Sequence, residues 1–122
     1  MTDGHVLSLW RQAVLIMCHH RCAFCNTKGD EKLQAHHIVR RKHKITRYQV
    51  INGLPLCHKC HSLAHTKAGE QKIQKLLGRS YQTLVDMEQV SYKQYLTVNG
   101  MTDTEYMNQV SSELKIIIGR KS

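Results

Sequence analysis

The sequence predicts a small α+β fold, and three observations carry that prediction. Val6 to Cys18 (VLSLWRQAVLIMC) is an apolar run long enough for a buried helix and too irregular for a strand. Leu33 to Val39 (LQAHHIV) is short, bounded and β-branched at its end, as a strand would be. Beyond Glu70 the segments favour helix, although Tyr81 to Leu96 alternates imperfectly. With 122 residues the chain has the length of one domain.

The elements follow in order. The N-terminal helix delivers Cys22-Ala-Phe-Cys25, a tight turn closed by Gly29, which supplies the positive φ such turns often need. After the strand, Arg40 to Arg47 reads as a charged loop. Tyr48 to Leu56 reads as extended at first, then broken by Asn52-Gly53 and Pro55. Cys57-His-Lys-Cys60 opens a helix through about Lys67, and Glu70 to Leu77 continues as helix until Gly78. Tyr81 to Leu96 favours helix. Thr102 followed three residues on by Glu105 is a capping box, and it starts a last helix through Ile118 that Gly119 stops. Residues 1–66 thus hold every motif with chemical content, and residues 67–122 form a helical extension expected to pack on the same domain.

Four cysteines come as two Cys-x2-Cys pairs, Cys22 with Cys25 and Cys57 with Cys60. Each such turn presents two sulfurs to one point, so the two together make a closed tetrahedral site for zinc. All four positions are filled by protein, so the site is structural. Only 6% of the residues are aromatic, and a domain with so modest a core gains from such a clamp. Residues 1–20 do not read as a signal peptide. Their apolar stretch, Ala13 to Cys18, follows Arg11 and is too brief to span a bilayer. The expected compartment is a reducing cytosol, where paired cysteines bind metal rather than each other. Cys18 reads as a small core residue, and His19, His20 and His58 as exposed or facing nucleic acid.

A second group of ligands is interleaved with the cysteines. His61 and His65 lie four apart on one helix face and can share a cation. Two imidazoles are too few. His36 and His37 are adjacent on a strand, so their side chains point to opposite faces: one ligates and the other does something different.

The fragment His36-His37-Ile38, with fifteen residues from His37 to Asn52, nine to His61 and four to His65, resembles the colicin-type members of the HNH endonuclease family. The interleaved cysteine pairs resemble its zinc-knuckle branch, common in phage and bacterial proteins. The resemblance covers about Cys22 to His65. It implies a ββα-metal (His-Me finger) core with a four-Cys zinc knuckle, flanked here by the N-terminal helix and the C-terminal helical extension. Carried over position by position, it makes His36, His61 and His65 ligands of one catalytic divalent cation. It makes His37 the general base and Asn52 the residue that orients it, directly or through backbone contacts. It also implies single-metal phosphodiester hydrolysis leaving 5′-phosphate and 3′-hydroxyl ends. Many zinc-knuckle members have Asp in place of His36; an all-imidazole set favours Zn2+, Ni2+ or Mn2+ over Mg2+.

The formal net charge is +9, and it is unevenly spread. Up to Thr66 there are ten Lys/Arg against three acids; from Lys67 onward, eight against six. The motif-bearing half therefore carries most of the positive field, as a polyanion-binding face would. Arg40, Arg41, Lys42, Lys44 and Arg47 directly follow the histidine strand and are expected to clamp phosphates of DNA, with RNA as the other candidate. Phosphate contacts carry no base information, so weak sequence preference is expected. The rival to a nuclease is a non-catalytic zinc-stabilised module that binds nucleic acid. A second rival, compatible with the nuclease reading, is a subunit of a phage or mobile-element DNA-processing machine that cuts only when a partner positions it. The expected location is the cytoplasm of a bacterial or phage-infected host cell, with no membrane association.

Overall fold

The computed structural model describes residues 2–120 as a small α+β domain with seven α-helices and one two-stranded antiparallel sheet. Helix α1 (Asp3–Met17) starts at Thr2, whose hydroxyl accepts the backbone N–H of His5 at 3.2 Å. A 3-10 turn (Asp30–Lys32) leads into β1 (Leu33–His37); a short α2 (Lys44–Arg47) and a second 3-10 turn (Val50–Asn52) lead into β2 (Gly53–Cys57). Helix α3 (His58–Ala64) follows without a loop, and the chain ends in α4 (Lys67–Leu77), α5 (Arg79–Glu88), α6 (Tyr92–Val98) and α7 (Asp103–Gly119). Of the extension expected over residues 67–122, the last two lie outside the described residues.

The sheet register pairs His36 with Leu54 and His37 with Gly53. β2 is buried along four of its five residues, because α1 lies across it. Gly53 makes that approach feasible: a Cβ there would stand 2.4 Å from Val14 Cγ2 and 2.7 Å from the Trp10 ring. Two apolar cores result. One joins α1 to α7 through Val6, Trp10, Val14, Tyr106, Val110 and Leu114, so the C-terminal helix packs directly on the N-terminal one. The other joins the sheet to α3 and α4 through Leu15, Leu33, Leu56, Ala64 and Ile73.

Three stretches differ from expectation. The charged loop Arg40–Arg47 ends in α2, because Ile45 and Thr46 turn inward and are buried. Tyr106 fastens this turn by donating its hydroxyl to the Ile45 carbonyl at 3.1 Å. Tyr48–Leu56 is irregular first and extended second, the reverse of the predicted order. Pro55 sits inside β2 opposite Ala35, and its carbonyl turns outward to accept the Ala23 N–H at 2.8 Å. The N–H that proline lacks lies on that same outer edge, so the ladder loses nothing. Finally, Tyr81–Leu96 is two helices. Ser91 caps α6 by accepting the N–H of Gln94, and the chain turns there. The capping box at Thr102 and Glu105 is formed in both directions.

Candidate functional site

The two cysteine turns meet at the sheet's end. In the first, Cys22 N–H donates to the Thr27 carbonyl and Asn26 N–H to the Cys22 carbonyl, both at 2.9 Å. Asn26 and Gly29 take the positive φ values, 67° and 124°, that close the turn. In the second, Cys57 ends β2 and Cys60 sits in the first turn of α3. The ligand atoms of Cys22, Cys25, Cys57 and Cys60 all lie within 4.8 Å of one another, with Cys25 and Cys57 sulfurs 3.6 Å apart. A disulfide needs about 2.05 Å. Four sulfurs at about 2.3 Å from one tetrahedral ion stand about 3.8 Å apart, so the cluster fits a metal such as zinc. Hydrogen bonds from Thr27 bring the Cys25 thiol down to about 6, whereas burial and the neighbouring sulfurs push Cys60 up to about 12. Cys18 is half-buried and outside the cluster. His19 and His58 are exposed, and the His20 side chain, 40% exposed, is paired with Asp30 at 2.7 Å.

A second cluster forms where β1 faces α3. His36 comes from the strand, His61 from α3, and His65 from the residue that caps its C-terminus. Their ligand atoms also lie within 4.8 Å of one another, and the three ring centroids are 4.8 to 5.3 Å apart. Burial, then the neighbouring imidazoles, lower His36 to about 4, and burial lowers His61. Neutral imidazole is the form a cation needs. Unlike the cysteine cluster, this one is open: His65 is exposed and His61 partly so.

His37 is not in that cluster. Its ring stacks on Trp10, with centroids 3.9 Å apart and planes 10° from parallel. Its Nε2 lies 2.9 Å from the Arg47 carbonyl. A carbonyl only accepts, so the neutral ring carries its proton on Nε2 and keeps its lone pair on Nδ1. Burial lowers its pKa, which favours that neutral form. A cleft of about 460 Å³ at the end of β1 is lined by His36, His37, Arg40, His65, Glu70 and Tyr81, among others.

Asn52 is fully buried, and its side chain makes no hydrogen bond to His37. Its Oδ1 accepts the Val39 N–H at 2.7 Å, and its Nδ2 donates to the carbonyls of Val39 at 3.2 Å and Thr46 at 3.0 Å. It therefore ties the start of the loop after β1 to α2, and the residue after Thr46 is Arg47, whose carbonyl meets His37. Sequence reasoning missed Trp10 and the Arg47 carbonyl as the partners of His37, since a long-range stack and a main-chain acceptor leave no motif.

The basic segment divides into two groups. Arg40 and Lys42 are exposed, and Arg41 is 62% exposed with Asp3 3.8 Å away. Lys44 is paired with Asp103 at 2.8 Å, and Arg47 with Asp3 at 3.1 Å, so these two are engaged by carboxylates of the same chain. His43 contacts Glu88 at 2.9 Å.

No family model, curated protein or solved structure matches the chain. Among the described residues, no helix is long and apolar enough to cross a membrane.

Proposed function

We propose that this chain is a metal-dependent endonuclease of the HNH type, hydrolysing phosphodiester bonds in DNA, with β1, β2 and α3 as its ββα-metal core. The observation that carries the reading is the division of labour between adjacent histidines. His36 joins His61 and His65 within 4.8 Å, while His37 turns away and is oriented separately by Trp10 and the Arg47 carbonyl. A purely structural metal site has no use for the second arrangement.

Each part then has a task. A divalent cation on His36, His61 and His65 (Zn2+, Ni2+, Mn2+ or Mg2+) would neutralise charge on the scissile phosphate and the departing oxygen. His37, neutral and protonated on Nε2, takes a proton from the attacking water at Nδ1. Asn52 holds the loop that fixes this tautomer. Arg40, Arg41 and Lys42 hold flanking phosphates, and Lys44 and Arg47 brace the loop against Asp103 and Asp3. Zinc on the four cysteines ties the first knuckle to the β2–α3 junction.

The test is incubation with supercoiled plasmid across several divalent cations. Cleavage should require an added cation, stop with chelator, and fall sharply in His61→Ala and His65→Ala. Cleavage that ignores both substitutions contradicts the proposal.

A further inference from the structure

The C-terminal extension does more than pack on α1: it builds the far wall of the cleft. Glu70 and Ile73 come from α4 and Tyr81 from α5, facing His36, His37, His65 and Arg40 across about 460 Å³. That volume is within the range of about 300–1,000 Å³ typical of small-molecule sites. The wall is firmly held. Ile73 and Leu84 are core residues, and Gly69 presses α4 onto the end of α3. A Cβ at Gly69 would stand 2.0 Å from the Leu63 carbonyl oxygen, so only glycine permits this contact.

The cleft has two chemically different halves. The imidazoles and Arg40 suit a phosphate. The half formed by the extension suits something else: Tyr81 and Ile73 offer aromatic and apolar surface, and Glu70 offers a carboxylate. Among the described residues, no hydrogen bond or ion pair engages that carboxylate. A carboxylate repels a second phosphate and accepts from N–H donors. An aromatic face beside a hydrogen-bond acceptor, next to a phosphate subsite, has the complementarity of one nucleotide.

We infer that the wall formed by Glu70, Ile73 and Tyr81 is a nucleobase pocket, and that the substrate is a strand with an unpaired base beside the scissile phosphate. Tyr81 stacks on the base. Glu70 accepts from an exocyclic amine, which cytosine and adenine present and thymine lacks. A base inside a duplex has both faces covered by its neighbours, so it enters the pocket only from single-stranded or locally opened nucleic acid. The inference rests on the nuclease reading of the cleft, and its test is independent of cleavage.

The probes are DNA oligonucleotides of one sequence, presented as a single strand, as a full duplex, and as a duplex with one unpaired nucleotide. Binding is measured by fluorescence anisotropy with His37→Ala protein and no added divalent cation, so that cleavage during the measurement is negligible. The single strand and the strand with an unpaired cytosine should bind more tightly than the full duplex. Tyr81→Leu should lose about 5- to 150-fold of affinity for these two, as expected for one base stack, with little change for the duplex. Glu70→Ala should erase the preference for unpaired cytosine over unpaired thymine. Both side chains are at least partly exposed, so both variants should fold. Equal affinity for all three forms, or a Tyr81→Leu loss shared by the duplex, overturns the inference. Selective binding by a wild-type protein that cuts nothing would leave the pocket standing and remove the nuclease reading.

Discussion

Replacing Asn52 with alanine removes three hydrogen bonds at a site without solvent access. The Val39 N–H loses its acceptor and stays buried, which costs about 1–3 kcal/mol. The Val39 carbonyl loses a donor, about another 0.5–1.5 kcal/mol. Thr46 loses less, because its carbonyl still accepts the Gln49 N–H at 3.1 Å. The sum is about 1.5–4.5 kcal/mol, a large share of the roughly 5–15 kcal/mol that holds a domain together. Asn52→Asp keeps the size but sets an oxygen against two carbonyls, so it should cost at least as much. Urea unfolding of the zinc-loaded variants, followed by circular dichroism, reads the loss directly. Catalytic rate per folded molecule should fall as well, because the loop carrying the Arg47 carbonyl is no longer tied. A loss below about 1 kcal/mol with normal activity would refute the positioning role.

Four further outcomes are expected at the cysteine cluster and the basic segment, and a fifth at Trp10. Cys57→Ser should leave the protein unfolded or aggregated, and a soluble, folded, zinc-free variant would contradict the structural assignment. Zinc affinity at the wild-type cluster should rise with pH through neutrality. The Cys60 thiol, pushed up to about 12, keeps its proton until metal displaces it, so loading in weak buffer should release acid; affinity flat with pH would contradict this. Neutralising Arg40, Arg41 and Lys42 should weaken DNA binding and flatten its salt dependence by about 0.9 in log–log slope for each phosphate no longer neutralised. Lys44→Met should instead cost stability, by at most about 1 kcal/mol, and leave the slope alone. Trp10→Leu should lower the rate without changing cation content, with Trp10→Phe restoring it; equal rates for the two, corrected for folded fraction, would make Trp10 a packing residue only.

Much of the site was legible because its signals are local. Cys-x2-Cys turns, His61 and His65 four apart, and the alternation of His36 and His37 each follow from spacing within one element. The partners that aim those groups are distant in sequence. Trp10 reaches His37 from another element, Lys44 meets Asp103 59 residues away, and Arg47 meets Asp3 44 residues away. No periodicity encodes such pairs, so Lys44 and Arg47 read as free cations. The fold errors have a similar origin. Pro55 read as a strand breaker because its outward-facing edge was not visible; Asn52 does end a 3-10 turn, but Gly53 opens β2 because α1 packs where a Cβ would stand. One error had a readable signal: Ser91 followed by Gln94 is itself a helix-start pattern, which places the break between α5 and α6.

The division of labour between His36 and His37 is tested most directly by measuring cation content and plasmid cleavage on the same two variants, His36→Ala and His37→Ala. With the four-cysteine zinc loaded in both, His36→Ala should lose the second cation and its activity together. His37→Ala should keep that cation and lose about 10²–10⁴-fold in rate, the contribution of one general base. A His37→Ala protein that cuts at the wild-type rate, or that loses the cation while His36→Ala retains it, would contradict the assignment.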